Sequence, residues 1–297
     1  MKKIFYIIAL GVGLAGCSNN EDELLSTGSF PEDHVIRIIT EVNEPLSRAG
    51  YDVTNLERFG LMIRNSENAA YNYHKQMVSS GNAWSTSDGQ QMLWDAERTP
   101  VTMIAYAPYM SEAAPDASLA VNALTNQTTE ENVKSSDFLL MKATIDPEQD
   151  LTADGKLKIS LSHAMSKLLI KITVNGTTDA AMNKLGDMSI NGAVVNGICD
   201  LSATVPIVVP APDAVVATVA PYKGTESCEC ILPPQKIAEG FSVNFSYDGK
   251  LYIWTAKEAI ELEKGVEHTL TLNVNTTVRL AAKMARNWAT GQLIDRN

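Results

Sequence analysis

The chain reads as an all-β protein, two β-sandwich domains in tandem, on three observations. Apolar and polar residues alternate with period two through many short segments, as in Leu157, Ile159 and Leu161 against Lys158, Ser160 and Ser162. Such alternation marks a strand with one buried face. Turn residues separate the segments at short intervals, and Asp248-Gly249 between Tyr247 and Leu251 is a strong hairpin signal. No segment sustains a helical period beyond Asp179 to Leu185. Many short strands with regular turn signals make a sandwich or barrel. The 297 residues, 45% hydrophobic and 20% charged, suit about two globular domains.

The first strand is expected from His34 to Val42, where Val35, Ile36, Ile38, Ile39 and Val42 supply β-branched side chains. Glu44-Pro45-Leu46-Ser47-Arg48-Ala49-Gly50 breaks it as a loop, and an arginine there is within reach of a protease. Phe59 to Arg64 is the next strand. A meander follows with Tyr71, Tyr73, Trp84 and Trp94, turned at Ser79-Ser80-Gly81-Asn82 and Ser87-Asp88-Gly89. Those four aromatics suit core and cross-strand packing, or else a platform on which a sugar ring stacks. Val101 to Tyr106 is a strand ended by Pro108, and Phe138 to Thr144 is another. Between them, Met110 to Ser136 is weakly patterned and reads as a long loop.

Pro147 to Gly155 is polar and turn-rich, and places a boundary between an N-terminal domain, 34–152, and a C-terminal domain, 153–297. Leu157 to Val174 gives two strands about a break at His163-Ala164-Met165-Ser166. Short strands then recur at Met188 to Ile190, Ala193 to Cys199, Ala214 to Val219, Cys228 to Leu232, Phe241 to Tyr247, Leu251 to Trp254, Ala259 to Leu262 and His268 to Val274.

The start of the chain is of another kind. Lys2 and Lys3 precede an apolar run from Ile4 to Leu14, and Leu14-Ala15-Gly16-Cys17 closes it. A basic start, an apolar centre and small residues before a cleavage point make a bacterial secretory signal. The run is too short for a comfortable transmembrane helix. Leu14-Ala15-Gly16-Cys17 resembles the lipobox of bacterial lipoproteins, in which the cysteine is acylated and becomes the first mature residue. An ordinary cleaved signal would leave Cys17 incidental. Residues 18–33, with Glu21, Asp22 and Glu23, read as a flexible tether. In lipoproteins of the Bacteroides group such an acidic cluster resembles a surface-export signal.

The formal charge is −11, and removing Lys2 and Lys3 leaves 22 basic against 35 acidic residues. This argues against nucleic acid and against adsorption to anionic lipid. Cys199, Cys228 and Cys230 remain beside Cys17. Export would allow Cys199 to bridge one of the other two, leaving an odd thiol. The alternative is three buried free thiols packed as small hydrophobes. Cys-x-Cys is not a usual zinc spacing and no histidine is near it, so no metal or cofactor is expected. The four histidines are scattered, and His163 reads as structural. No motif of nucleophilic, metal-hydrolytic or nucleotide chemistry is present, so no enzyme is expected.

Several local patterns then occur in one order. They are Cys17, Ser47-Arg48-Ala49, Ala105-Tyr106-Ala107-Pro108-Tyr109 and Ser136-Asp137-Phe138-Leu139-Leu140-Met141. Leu161-Ser162-His163-Ala164-Met165-Ser166-Lys167-Leu168, Leu232-Pro233-Pro234-Gln235 and Gly265-Val266-Glu267-His268-Thr269-Leu270-Thr271-Leu272 follow. Together they resemble the fimbrillin family, the subunits of lipoprotein-derived fimbriae in Bacteroides-type bacteria.

The resemblance implies two transthyretin-like β-sandwich domains after a cleaved lipoprotein signal, and a non-enzymatic structural or adhesive role. It implies export to the outer membrane surface, then cleavage after an arginine in the loop behind the first strand. Here that bond is Arg48–Ala49. The freed groove is filled by a strand from a neighbouring subunit. The donor is expected in the C-terminal segment, where Val278, Leu280, Ala282 and Met284 alternate with Arg279, Ala281, Lys283 and Ala285. That segment also suits a last strand of its own domain, and Arg48 an ordinary solvated arginine. The implied partners are other fimbrial subunits, outer-membrane lipid through Cys17, and a host or bacterial surface receptor. A monomeric surface lipoprotein that binds glycan is the alternative.

Overall fold

The computed structural model describes residues 29–296 except 44–49, 53, 81–82, 176–177, 275–279 and 287–292. Along the chain the first strands are β1 Ile38–Asn43, β2 Arg58–Asn65, β3 Tyr73–Ser80, β4 Ala83–Thr86, β5 Val101–Ala107 and β6 Ser118–Asn122. A short helix, α1 Glu130–Ser135, precedes β7 Leu139–Ile145, β8 Leu157–His163, β9 Ser166–Val174 and β10 Thr178–Asp179. Then come β11 Leu185–Val194, β12 Asn196–Asp200, β13 Val208–Pro210, β14 Val216–Val219, β15 Tyr222–Lys223 and β16 Cys228–Leu232. The last are β17 Gln235–Ile237, β18 Ser242–Tyr247, β19 Lys250–Thr255, β20 Ile260–Leu262, β21 Glu267–Val274, β22 Leu280–Arg286 and β23 Leu293–Arg296.

Two sheets dominate. The first has the order β1-β8-β7-β5-β2-β3-β4. The second runs β15-β16-β9-β21-β22-β23, with β10 beside β9. A four-stranded sheet, β14-β11-β18-β19, and smaller sheets β13-β12-β6 and β17-β20 complete the body. β2 and β5 are buried on both faces. Phe59, Leu61, Ile63, Met103 and Ala105 enter a core inside the curl of the first sheet. Met62, Ile104 and Tyr106 point the other way, into a larger core shared with β9, β16 and β21. Two-sided burial is why these strands read as continuous apolar runs. Gly60 admits the Tyr106 ring, because a Cβ there would lie 2.3 Å from it.

The boundary drawn at 152/153 does not follow the sheets. β8 lies beyond it in sequence yet sits in the first sheet between β1 and β7. β6 lies before it yet pairs with β12, Ile198 opposite Ala120. Side chains stitch across the line as well. Gln127 Nε2 donates to Ile231 O at 2.8 Å while its Oε1 accepts the Ile231 N–H at 2.8 Å. Lys142 Nζ donates to the carbonyls of Leu201, Ser202 and Ala203 at 2.8, 3.2 and 2.9 Å. A polar linker marks where the chain turns, whereas sheet membership is set by pairing between segments distant in sequence.

Two elements fall in the stretch read as a long loop. In β6, Leu119 and Val121 face inward from an otherwise exposed strand. In α1, Thr129 accepts the Asn132 N–H at 3.2 Å as the N-cap, and Val133 alone is buried. Six residues are too few to display a helical period. The helical pattern at Asp179 to Leu185 amounts to one 3-10 turn, Met182–Lys184. Among the described residues no helix is long and apolar enough to cross a membrane.

Candidate functional site

The first strand is an edge strand with a single ladder. β1 lies parallel to β8, from Ile38 opposite Leu157 to Asn43 opposite Ser162. It starts four residues later than expected, because His34 to Ile36 engage a different segment. Val35 bridges to Leu93, Ile36 N–H donates to Met92 O at 2.9 Å, and Trp94 N–H donates to His34 O at 2.8 Å. The first sheet curls so that its two end strands face each other. Trp84 on β4 donates its Nε1–H to Thr40 Oγ1 on β1 at 3.1 Å. A cavity of about 410 Å³ lies between these ends, lined by Ile36, Ile38, Trp84 and Met92 among others.

One face of β1 is held by burial and the other by charge. Ile36 and Ile38, 7% and 5% exposed, sit in the inner core with Leu157 and Ile159. Full burial of such a side chain is worth roughly 1.5–3 kcal/mol. On the outer face Glu41 Oε2 lies 2.8 Å from Lys158 Nζ, and Glu41 also accepts from Ser160. Lys158 first, then Ser160, hold the Glu41 carboxyl below its ordinary range. Asn43 Nδ2 donates to Ser162 Oγ at 3.3 Å.

Arg48 and Ala49 lie outside the described residues, and so does Cys17. The chain is described again from Gly50, which is buried. A Cβ on Gly50 would lie 3.1 Å from Asp137 Oδ2. That oxygen accepts the Tyr51 N–H at 3.1 Å and lies 2.8 Å from His163 Nδ1. Burial and then the Asp137 charge push the Tyr51 phenol up to about 12. Both chain stems flanking residues 44–49 thus reach the same end of β8, where Ser162 and His163 stand. Sequence reading singled out Asp137 and His163 only as parts of separate patterns; their contact joins residues 26 apart.

Cys199, Cys228 and Cys230 are free and buried, and no bridge forms among them. Cys228 and Cys230 both enter the larger core from β16, and Cys199 enters it from β12. Burial raises all three thiols, Cys199 to about 11 and Cys228 to about 12. They act as small core hydrophobes. The aromatic platform does not form. Trp94 is 2% exposed. Trp84 packs edge-on against Phe59 at 4.7 Å and spends its N–H on Thr40. His163 is structural, 4% exposed, with its Nε2 unpartnered. His268 Nε2 accepts the Glu263 N–H at 3.0 Å, and burial depresses its pKa to about 4. Among the described residues no cluster of His, Cys, Asp and Glu could hold a metal ion.

An all-β body of packed sheets, with its first strand an edge ladder, defines a β-sandwich protein. Residues 47–287 match the model of the fimbrillin-like family, and the chain belongs to that family. Its fold is that of a protein described as a cell adhesion protein from Bacteroides ovatus ATCC 8483, at 15% identity and TM-score 0.66, covering 90% of this chain and 98% of that one. A second such protein, from Bacteroides uniformis ATCC 8492, aligns at 14% identity and TM-score 0.63 over 88% and 98% of the two chains. A fimbrial protein of Bacteroides ovatus ATCC 8483 aligns at 14% identity and TM-score 0.50, over 88% of this chain and 54% of that one. No curated protein sequence matches this chain. Membership of the family places it among the proteins of cell-surface fimbriae.

Proposed function

We propose that the chain is a non-enzymatic fimbrial subunit, exported to the outer membrane as a lipoprotein acylated on Cys17 and assembled by strand addition. The observation that carries this reading is the seat of β1, which pairs with β8 alone along its length. Cleavage of the Arg48–Ala49 bond would free β1 from the body. Its departure would open the β8 edge and uncover the apolar seat of Ile36 and Ile38 beside Leu157 and Ile159. An open edge with an apolar groove is an unstable surface that a neighbouring strand can fill.

The donor we assign is the C-terminal segment. β22 and β23 lie outermost in their sheet, β22 antiparallel to β21 and β23 antiparallel to β22. Their departure would break one ladder, between β21 and β22. The uncut subunit would keep both lipid and first strand and stand as an anchor or precursor.

Digestion of the full chain with an arginine-specific protease tests this. The body should begin at Ala49 by N-terminal mass analysis, shed the β1 fragment, and move to high mass in size-exclusion chromatography. A destabilised monomer after cleavage at Arg48 would refute strand addition. An intact Arg48–Ala49 bond on the cell surface would make the chain an anchor.

A further inference from the structure

We propose that a pocket between Tyr51, Arg58 and Tyr109 binds an acidic sugar, a hexuronic acid unit. The pocket has a volume of about 340 Å³, at the small end of the range for ligand sites and suited to one ring. It lies on the larger-core side of the first sheet, where the start of β2, the middle of β3, the turn after β5 and the end of α1 converge. Glu57, Arg58, Gln76 and Lys134 bring the polar groups to it, and Tyr51 and Tyr109 bring the rings. The strand-exchange reading uses none of these side chains.

The rings are held in place. Tyr109 packs against His74 at 5.8 Å. His74 is fixed by Tyr106 OH at 2.7 Å from its Nε2, and Tyr106 OH donates to Met110 O at 2.8 Å. Tyr51 is 9% exposed, with Lys134 Nζ 5.0 Å above its ring. That ammonium donates to Asn55 O at 2.6 Å, so the cation stays over the ring. The charges at the mouth are uncommitted. Arg58 and Glu57 are exposed, and neither has a side-chain partner among the described residues.

The chemistry selects the ligand class. Among the lining residues Arg58 and Lys134 exceed Glu57 by one positive charge, on a chain of net charge −11, and Lys134 also faces the Asp52 carboxylate, which leaves Arg58 as the uncommitted cation. A guanidinium without a protein carboxylate is the best side-chain partner for a ligand carboxylate, because its fork takes both oxygens. The apolar face of a sugar ring suits the Tyr109 ring. Sugar hydroxyls both donate and accept, which matches Glu57 as acceptor and Gln76 as either. A neutral sugar would leave the Arg58 charge unmatched, and a small carboxylate would leave the rings unused.

Saturation-transfer NMR on the full chain, with sodium glucuronate as probe and glucose and acetate as controls, tests the site. Ring protons of glucuronate should be saturated, with glucose and acetate bound at least about tenfold more weakly. Arg58→Gln should weaken glucuronate about tenfold without lowering the melting temperature, since Arg58 is exposed and unpaired. Tyr109→Ala should weaken glucuronate and glucose alike. A glucuronate-ended disaccharide separates the two sources: binding as tight as the free acid assigns the site to glycan ends, and weaker binding assigns it to the free acid. Equal binding of glucose or acetate, or undiminished binding by the Arg58→Gln variant, overturns the proposal. That variant should still be cut and assemble normally, so this proposal and strand exchange fail independently.

Discussion

Asp137 and His163 meet inside the protein with Oδ2 2.8 Å from Nδ1, their side chains 0% and 2% exposed. The same oxygen accepts the Tyr51 N–H, and Oδ1 accepts the Phe138 N–H at 2.9 Å. One carboxylate therefore ties together the end of β8, the start of β7 and the chain that resumes at Gly50. Before residue 44, β1 hangs on β8 by an edge ladder. The two stems are held differently, the body-side stem by the Asp137 carboxylate and the other by the β8 ladder. The proposed cleavage at Arg48 falls between these two stems.

Replacing the carboxylate should show how firm that anchor is. Asp137→Ala removes the acceptor of three donors, two of them backbone N–H groups. Each buried group left unsatisfied costs roughly 1–3 kcal/mol, and neighbouring losses are not additive. A total of about 3–5 kcal/mol is expected in urea unfolding, with faster hydrogen exchange at the Tyr51 amide. A loss below about 1 kcal/mol would mean that packing around Gly50, not Asp137, holds this stem.

Acid should weaken the protein partly through His268. Burial lowers its folded pKa to about 4, from an ordinary 6.5. Between these values the unfolded chain binds a proton that the native state refuses, so stability is complete above about 6.5 and is lost as the pH falls toward 4. The full shift would correspond to roughly 3 kcal/mol as an upper bound. Carboxylates such as Glu41, depressed by Lys158, add loss in the same direction at lower pH. His268→Gln keeps an acceptor for the Glu263 N–H and removes the titration. Its unfolding midpoint should vary less between pH 6.5 and 4.5 than that of the parent. Parallel profiles for the two proteins would exclude His268 as a source.

The strands were largely legible in the residues, because period-two alternation such as Leu157, Ile159, Leu161 is a local property. What joins them was not. The parallel pairing of β1 with β8 links segments some 120 residues apart, and the polar stretch before Leu157 pointed to a domain boundary there. The site was legible in the same uneven way. His34 to Val42 was recognisable as a β-branched strand, but that Thr40 receives the Trp84 N–H depends on the curl of a seven-stranded sheet. Core packing or a sugar platform both suited Trp84 and Trp94 in the sequence, because aromatics carry no local sign of which face they take. Tyr109 and Arg58, 51 positions apart in sequence, gave no shared signal at all.

The hold on β1 should prove to be burial and not charge. Lys158 and Glu41 are close, but their side chains are 52% and 40% exposed. Exposed pairs contribute about 0–1 kcal/mol, and solvent screens this one. Ile38 is 5% exposed in the core beside Leu157. Ile38→Ala should cost about 2–4 kcal/mol, against less than about 0.5 kcal/mol for Lys158→Ala. An edge strand can open without the body, so the difference should appear first as faster hydrogen exchange at the amides of residues 38–43. The Ile38→Ala chain should also shed its first strand sooner after cleavage at Arg48. If Lys158→Ala loosened β1 equally, the outer ion pair would be the clasp, and strand release would then depend strongly on salt.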